Sequence, residues 1–237
     1  MIVIPLAGSS TRFKVAGIQS PKWSLEVDGM TVLNKSINSI INSLNEFETL
    51  LLIIDSSHEH ILIPLIEEYK NLNLHVYKLN SPTLGQADTV RQGLVNYQDN
   101  PAERLVIWCG DSAFKGDSLS FKEEDGNWVG VSKLNGDHWS FVELKGGLVY
   151  RVAEKKRISD LASIGLYGFN SVLEFLRLDF NGVLKENTEI YVAPLYNQLI
   201  LAREEIRIVE IEKSDYYPFG TPEEFLETCH RLGWAPT

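Results

Sequence analysis

The sequence predicts an α/β fold: a mostly parallel central sheet flanked by helices, followed by an antiparallel subregion. Three observations carry that prediction. Short runs rich in Ile, Val and Leu recur at Ile2–Leu6, Thr49–Ile54, Leu74–Leu79 and Leu105–Cys109, as strands buried on both faces require. Helical spacing lies between the runs, and strand–helix alternation makes a parallel sheet with right-handed crossovers. Past Asp111 the pattern changes to "NWVGVSKL", "HWSFVEL", "GLVYRVAE" and "SIGLYGF", alternating pieces divided by Gly, Asn and Asp. Those read as antiparallel strands and hairpins.

The helices follow in order. Behind Thr31, a predicted N-cap, Leu33, Ile37, Ile40, Ile41 and Leu44 keep helical spacing. Ile61, Leu65 and Ile66 predict a second helix, and Ala87, Val90, Leu94 and Val95 a third. Helices return at Ser171–Leu176 and Tyr191–Ala202, then a strand at Ile206–Ile211 and a last helix at "GTPEEF". There Thr221 and Glu224 form a capping box, with Pro222 in the first turn. No repeat, low-complexity stretch or Pro/Gly linker divides the chain. One domain is expected over residues 1–237, with halves at 1–111 and 112–237.

Composition narrows the function classes. With 237 residues, 44% of them hydrophobic, the chain can bury a sizeable core. A formal net charge of −10 repels polyanions, so neither nucleic acid nor an anionic membrane is expected as a partner. Cys109 and Cys229 lie far apart in apolar or helical contexts and read as reduced thiols. "MIVIPLAGSS" is too short and lacks the basic leader of a signal peptide, and "LLLIID" falls far short of a membrane span. A soluble cytoplasmic protein is expected.

Against that acidic background, "LAGSSTRFKVAGIQSPKW" (residues 6–23) holds no acid at all. A loop leaving the carboxyl end of a parallel strand lies where α/β sheets bind ligands. Gly8 and the small Ser9, Ser10 and Thr11 let backbone N–H groups approach an anion. Arg12 can fork onto two phosphate oxygens, and Lys22, held by Pro21, adds a second cation. The pattern fits a polyphosphate clamp; on spacing alone a polar loop with solvated charges stays open. "GSSTRF" has one glycine, which excludes the G-x-G-x-x-G dinucleotide loop, and no Gly-Lys-Ser/Thr follows, which excludes the Walker loop.

At this loop the sequence resembles the nucleotidyltransferases that activate sugar phosphates and similar phosphorylated acceptors, enzymes with a Rossmann-like, GT-A-like fold. The likeness continues in order through "GQADTVRQGL", "VIWCGDS", "VAEKKRISDLASIGLYGF", "NTEIYVAPLYNQLI" and "FGTPEEF", covering essentially the whole chain. "HWSF", "RISDLAS" and "APLYN" most resemble a branch associated with capsule and surface polysaccharides, which includes cytidylyltransferases acting on acceptors such as phosphoglutamine.

The resemblance implies roles for particular residues. Leu6, Ala7, Gly8, Ser9 and Ser10 would line the nucleotide, with Gly85 and Gln86 at the base. Asp88 would contact base or ribose, or simply start a helix. Asp111, closing an apolar strand, would hold Mg²⁺ shared with triphosphate oxygens. Lys155 would neutralise the acceptor phosphate, while Glu154 binds acceptor hydroxyls or steadies Lys155. Gly165 would admit the acceptor to the backbone, and Glu189 would accept hydrogen bonds from its hydroxyl or amine groups. Arg12, Lys22, Asp111 and Lys155 make the implied catalytic set.

Many relatives carry a second acid just before the final "GT"; here "YYPFGT" puts Tyr217, Pro218 and Phe219 there, leaving Asp215 and Glu224 as substitutes. Lys156, Arg157 and Asp160 each have a plain turn role as alternative, and Trp139 beside Ser140 either walls the acceptor pocket or packs in the core. His58, His60, His75, His138 and His230 are expected to be non-catalytic.

The implied activity is transfer of a nucleoside monophosphate from CTP or UTP to a small phosphorylated acceptor, with release of pyrophosphate. The sequence leaves the oligomeric state open, a homo-oligomer included, and no allosteric domain is expected beyond "GTPEEF". Two other classes compete. A GT-A glycosyltransferase usually carries Asp-x-Asp, which "GDSAF" lacks. A non-catalytic nucleotide-sugar-binding module would follow if the missing acid abolished turnover.

Overall fold

The computed structural model describes residues 1–44, 49–97, 100–115 and 126–235. Its first half alternates as the sequence predicts: β1 (Ile2–Pro5), α1 (Thr11–Val15), β2 (Glu26–Val27), β3 (Met30–Thr31), α2 (Val32–Leu44), β4 (Leu50–Asp55), α3 (Glu59–Glu68), β5 (Leu74–Leu79), α4 (Gln86–Asn96), β6 (Leu105–Trp108) and β7 (Ser112–Phe114). The second half supplies β8 (Asn127–Lys133), β9 (Ser140–Lys145), β10 (Leu148–Glu154), β11 (Leu161–Phe169), α5 (Val172–Leu176), α6 (Phe180–Glu186), α7 (Tyr196–Leu201), β12 (Ile206–Glu210), β13 (Tyr216–Pro218) and α8 (Pro222–Leu232).

The main sheet runs β10-β9-β11-β6-β1-β4-β5, with β8 on β11 and β12 on β8. Strands β5, β4, β1 and β6 are parallel, with Ile2 opposite both Leu50 and Val106. Antiparallel β11 then joins the halves, placing Leu166 opposite Trp108. The carboxyl end of β6 is thereby set beside a strand from the second half.

Alternation along the strands divides the core. Ile2, Ile4, Leu50 and Leu52 face Leu33, Ile37 and Ile40 of α2, whereas Val3, Leu51 and Ile53 face Ala87, Val90 and Leu94 of α4. Each α2 position here is at most 1% exposed, and fully burying one such side chain contributes about 1.5–3 kcal/mol. The Leu44 side chain lies outside the described residues. Both predicted caps form: Thr31 Oγ1 accepts from the Asn34 N–H, and Thr221 and Glu224 cap α8 reciprocally.

A third cluster ties the ends of the chain together. Phe13 and Val32 pack with Phe219, Phe225 and Cys229, so the opening loop rests on α8.

Local signals are weak where the structure departs from expectation. The opening loop contains α1, whose five residues are held by Phe13 and not by a strong propensity. Asn181 and Gly182 are poor helix formers, yet α6 forms because Asp179 caps it by accepting from the Gly182 N–H. The helix expected over Tyr191–Ala202 divides into a 3₁₀ turn at Ala193–Leu195 and α7, with Pro194 in a first turn where no N–H is needed. "YYP" becomes β13, paired with β7 so that Pro218 lies opposite Ser112.

Candidate active site

The opening loop is held by two hydrogen bonds, one buried and one part-buried. Trp23 donates its indole N–H to the Leu6 carbonyl at 3.1 Å, and the Lys22 N–H donates to Ser10 Oγ at 3.1 Å. Ser10 adopts left-handed backbone geometry at φ 51°, ψ 33°, a conformation costly for a residue with a Cβ and concentrated at functional sites. Ala7 is half-buried, while Gly8, Ser9 and Arg12 are exposed. Phe13 is buried edge-on against Phe225, with ring centroids 6.4 Å apart. That anchor leaves the neighbouring Arg12 outward, and among the described residues it forms no ion pair.

Lys22 and Asp111, which the sequence places 89 positions apart, meet as an ion pair between Lys22 Nζ and Asp111 Oδ2. Burial pushes the Lys22 amine down, but the Asp111 charge and hydrogen bond outweigh it, and the net shift is upward. Glu224 reaches the same place. A Cβ built on Gly220 would lie 3.1 Å from Glu224 Oε2 and 3.3 Å from Asp111 Oδ2. Glu224 therefore does more than cap α8: Oε2 accepts from the Thr221 N–H, while Oε1 faces His138 Nε2 at 2.7 Å.

Asp215, the other substitute acid, lies instead beside Lys115 at 4.0 Å. Among the described residues no group of three or more His, Cys, Asp or Glu side chains could hold a metal. Two carboxylates nevertheless suit Mg²⁺, a hard cation that completes its shell with phosphate oxygens and water.

Beside the pair opens a cleft of about 230 Å³ that brings Asp111 and Glu224 together with Gln86, Glu154 and Gly165. Trp139 and Ser140 also line it, so Trp139 is a wall of the pocket as well as a neighbour of the core. Gly165 stands at φ 78°, where the register of β11 against β8 shifts. Its carbonyl accepts from the Cys109 N–H at 3.0 Å, and a Cβ there would collide with the Cys109 side chain. Gln86 Nε2 donates to Cys109 Sγ at 2.7 Å. Burial pushes that thiol up to about 12, so it is a neutral packing and hydrogen-bonding group, not a nucleophile.

Glu154 lines the cleft and Lys155 follows it in the chain. Ser140 donates its hydroxyl to Glu154 Oε2, and burial raises the Glu154 carboxyl above its ordinary range. Lys155 has φ 50°, and its Nζ donates to Tyr191 Oη at 2.7 Å. Glu189 is exposed, and a Cβ on Gly85 would lie 3.1 Å from Glu189 Cβ. The same built Cβ would strike the Ile190 N at 2.7 Å, so Gly85, at φ 130°, is required by close backbone packing.

Asp88 is not among the residues lining the cleft. It is 2% exposed, accepts from the Leu84 N–H and the Gln92 amide, and pairs with Arg91. Its carboxylate braces the turn into α4. Arg157 is likewise committed, to Asp137 and to the carbonyls of Leu134 and Gly136. Asp160 stays outside the cleft with an 89% exposed side chain. His138 lines the cleft, although nothing local in the sequence separates it from the other four histidines. Tyr191 lines it too; only the neighbouring "NTEI" motif points to that position.

No protein-family model matches the chain, and no curated protein matches it in sequence. Its fold has solved counterparts. A nucleoside-diphosphate-sugar pyrophosphorylase from Vibrio cholerae RC9 is similar at a TM-score of 0.85 and 29% identity, over 97% of this chain and 100% of that one. The inositol-1-phosphate CTP transferase from T. maritima aligns at TM-score 0.75 and 14% identity, covering 98% and 95% of the two chains. A UDP-glucose pyrophosphorylase complexed with UDP-glucose aligns at 0.73 and 15%, covering 98% and 97%. The chain has the nucleotidyltransferase fold of these neighbours.

Proposed function

We propose that this chain, built on the nucleotidyltransferase fold, transfers a nucleoside monophosphate from a triphosphate to a small phosphorylated acceptor. The observation that carries the reading is the meeting of Lys22, Asp111 and Glu224 beside a cleft lined from both halves of the chain. The acceptor's phosphate oxygen bonds to the α-phosphorus as the α–β anhydride bond breaks, and pyrophosphate leaves with the electron pair. An ionised phosphate is already a nucleophile, so the chemistry needs positioning and charge neutralisation more than a base.

In this reading Arg12 and Lys22 hold the triphosphate and the departing pyrophosphate. The backbone of residues 6–10 borders the nucleotide, and Gly85 and Gln86 border the base. Asp111, with Glu224 across Gly220, would hold Mg²⁺, which when bound screens the triphosphate charge. Lys155 steadies the acceptor phosphate, and Glu154, Gly165 and Glu189 surround the acceptor. Residues 1–111 serve the nucleotide and residues 112–237 the acceptor, within one domain.

CTP or UTP is the expected donor, the acceptor a sugar phosphate or a phosphorylated amino-acid-like compound, and the product a capsule or surface-polysaccharide precursor made in the cytoplasm. These finer assignments are supported by the resemblance of "HWSF", "RISDLAS" and "APLYN" to the capsule- and surface-polysaccharide branch of the nucleotidyltransferases.

Pyrophosphate release from each common nucleoside triphosphate with Mg²⁺ and a panel of phosphate monoesters tests the reading. Release that needs both substrates is expected. Triphosphate binding with no release for any acceptor would favour a binding module instead.

A further inference from the structure

Resting on that reading, we infer that Lys22 selects the form in which metal enters the site. It keeps a free divalent cation off Asp111 and Glu224, and admits one that arrives with a triphosphate. The two carboxylates meet across Gly220, where a Cβ would lie 3.1 Å from Glu224 Oε2 and 3.3 Å from Asp111 Oδ2. Oxygens so gathered suit a hard cation. The Lys22 ammonium already stands there: it pairs with Asp111 Oδ2, and the Glu224 charge acts on it as well.

The pairing is built into the opening loop. The Lys22 N–H donates to Ser10 Oγ at 3.1 Å, at the start of the 3₁₀ turn Lys22–Ser24. Trp23, next in the chain, is buried and donates to the Leu6 carbonyl. With the backbone so held, it is the flexible lysine stem that can move the ammonium. Residues 6–23 offer it no acid, and among the described residues its ion-pair partner is Asp111.

A free cation reaching Asp111 would take that partner away from a side chain only 27% exposed. Stranding one member of a partly buried pair is costly, and the two cations would repel each other. A triphosphate removes both penalties, because its oxygens give Lys22 a new partner. Metal and triphosphate affinities are then coupled, each raising the other by the same factor.

The test is calorimetric titration with Mn²⁺, which shares the oxygen preference of Mg²⁺. It is given alone, or as preformed complexes with non-hydrolysable analogues of the common nucleoside triphosphates. The wild type should bind at least one complex about tenfold or more tightly than free Mn²⁺, within the usual range of coupling between sites. Lys22→Met should move the two affinities in opposite directions, with free Mn²⁺ about tenfold tighter and the complex about tenfold weaker. Combining Lys22→Met with Asp111→Asn should abolish the gain for free Mn²⁺. Arg12 is exposed, so Arg12→Ala should leave free Mn²⁺ binding unchanged.

Equal wild-type affinity for free Mn²⁺ and the complex overturns this role for Lys22. So does the absence of tightening in Lys22→Met, tightening that survives Asp111→Asn, or equal tightening in Arg12→Ala. Each of these leaves the nucleotidyltransferase reading standing. Failure of every complex to bind the wild type overturns that reading, and the role of Lys22 with it. Lys22→Gln replaces Lys22→Met should that variant not fold.

Discussion

Lys22 Nζ and Asp111 Oδ2 close an ion pair at the carboxyl edge of the sheet, joining the opening loop to the end of β6. Their side chains are 27% and 18% exposed, so the pair is neither a solvated surface bridge nor a sealed core pair. Each partner is the countercharge that lets the other sit there, and in the proposed reaction the pair would face the metal–triphosphate complex.

Asp111→Asn should therefore cost stability as well as turnover. It strands a partly buried ammonium, for a loss of about 1–2 kcal/mol, between the values for exposed and buried pairs. Adding Lys22→Met should recover part of that loss, because neighbours in one pair are not additive. Denaturant unfolding of the two single variants and the double variant measures the coupling. Strict additivity would mean that the pair contributes nothing.

Arg12→Ala should leave the melting temperature unchanged, since the side chain is exposed and Phe13 does the anchoring. Turnover should fall by roughly two to three powers of ten, the scale of removing one preorganised charged donor from a transition state. A rise confined to the Michaelis constant for the triphosphate would show uniform binding instead.

Glu154→Gln should stabilise the protein at neutral pH. The folded-state carboxyl is raised by burial above its ordinary value of 4.5, so the folded protein favours the protonated form. Its stability contribution is complete below pH 4.5 and is lost as pH rises through the raised value. The gain of Glu154→Gln over wild type should thus grow as pH rises above 4.5 and shrink as it falls below that value. Melting temperatures of both proteins across the acidic-to-neutral range check the sign; a gain in acid equal to that at neutral pH would refute it.

Asp88→Asn should unfold more readily, by about 2 kcal/mol, because a buried carboxylate holding the Leu84 N–H, Gln92 and Arg91 loses its charge. Burial raises this carboxyl, but those hydrogen bonds and the Arg91 charge outweigh it and lower it below 3.8. Its stabilisation is present above that value and is lost as pH falls through the lowered one. Triphosphate affinity of the still-folded variant should change little. A large loss of affinity with wild-type stability would instead make Asp88 a base or ribose contact.

Features that depend on neighbours along the chain are legible in the amino-acid order alone. A strand covered on both faces must be apolar at every position, so β1, β4 and β6 announce themselves, and β11 shows the alternating pattern of the second half. The caps at Thr31 and Thr221 are legible for the same reason, since each contacts a partner three residues away. The ordered motifs also pick out Asp111, Gln86, Glu154 and Gly165, which the fold gathers into one cleft. Which charges answer one another there is a matter of three-dimensional packing. Lys22 with Asp111, Glu224 with His138, and Lys155 with Tyr191 are pairs separated by 89, 86 and 36 positions. Sheet order and loop length set such distances, and no local propensity encodes them. Burial completes the difference: Asp88 and Glu154 are both acids in the sequence, but one is enclosed by donors and the other lines the cleft beside Lys155.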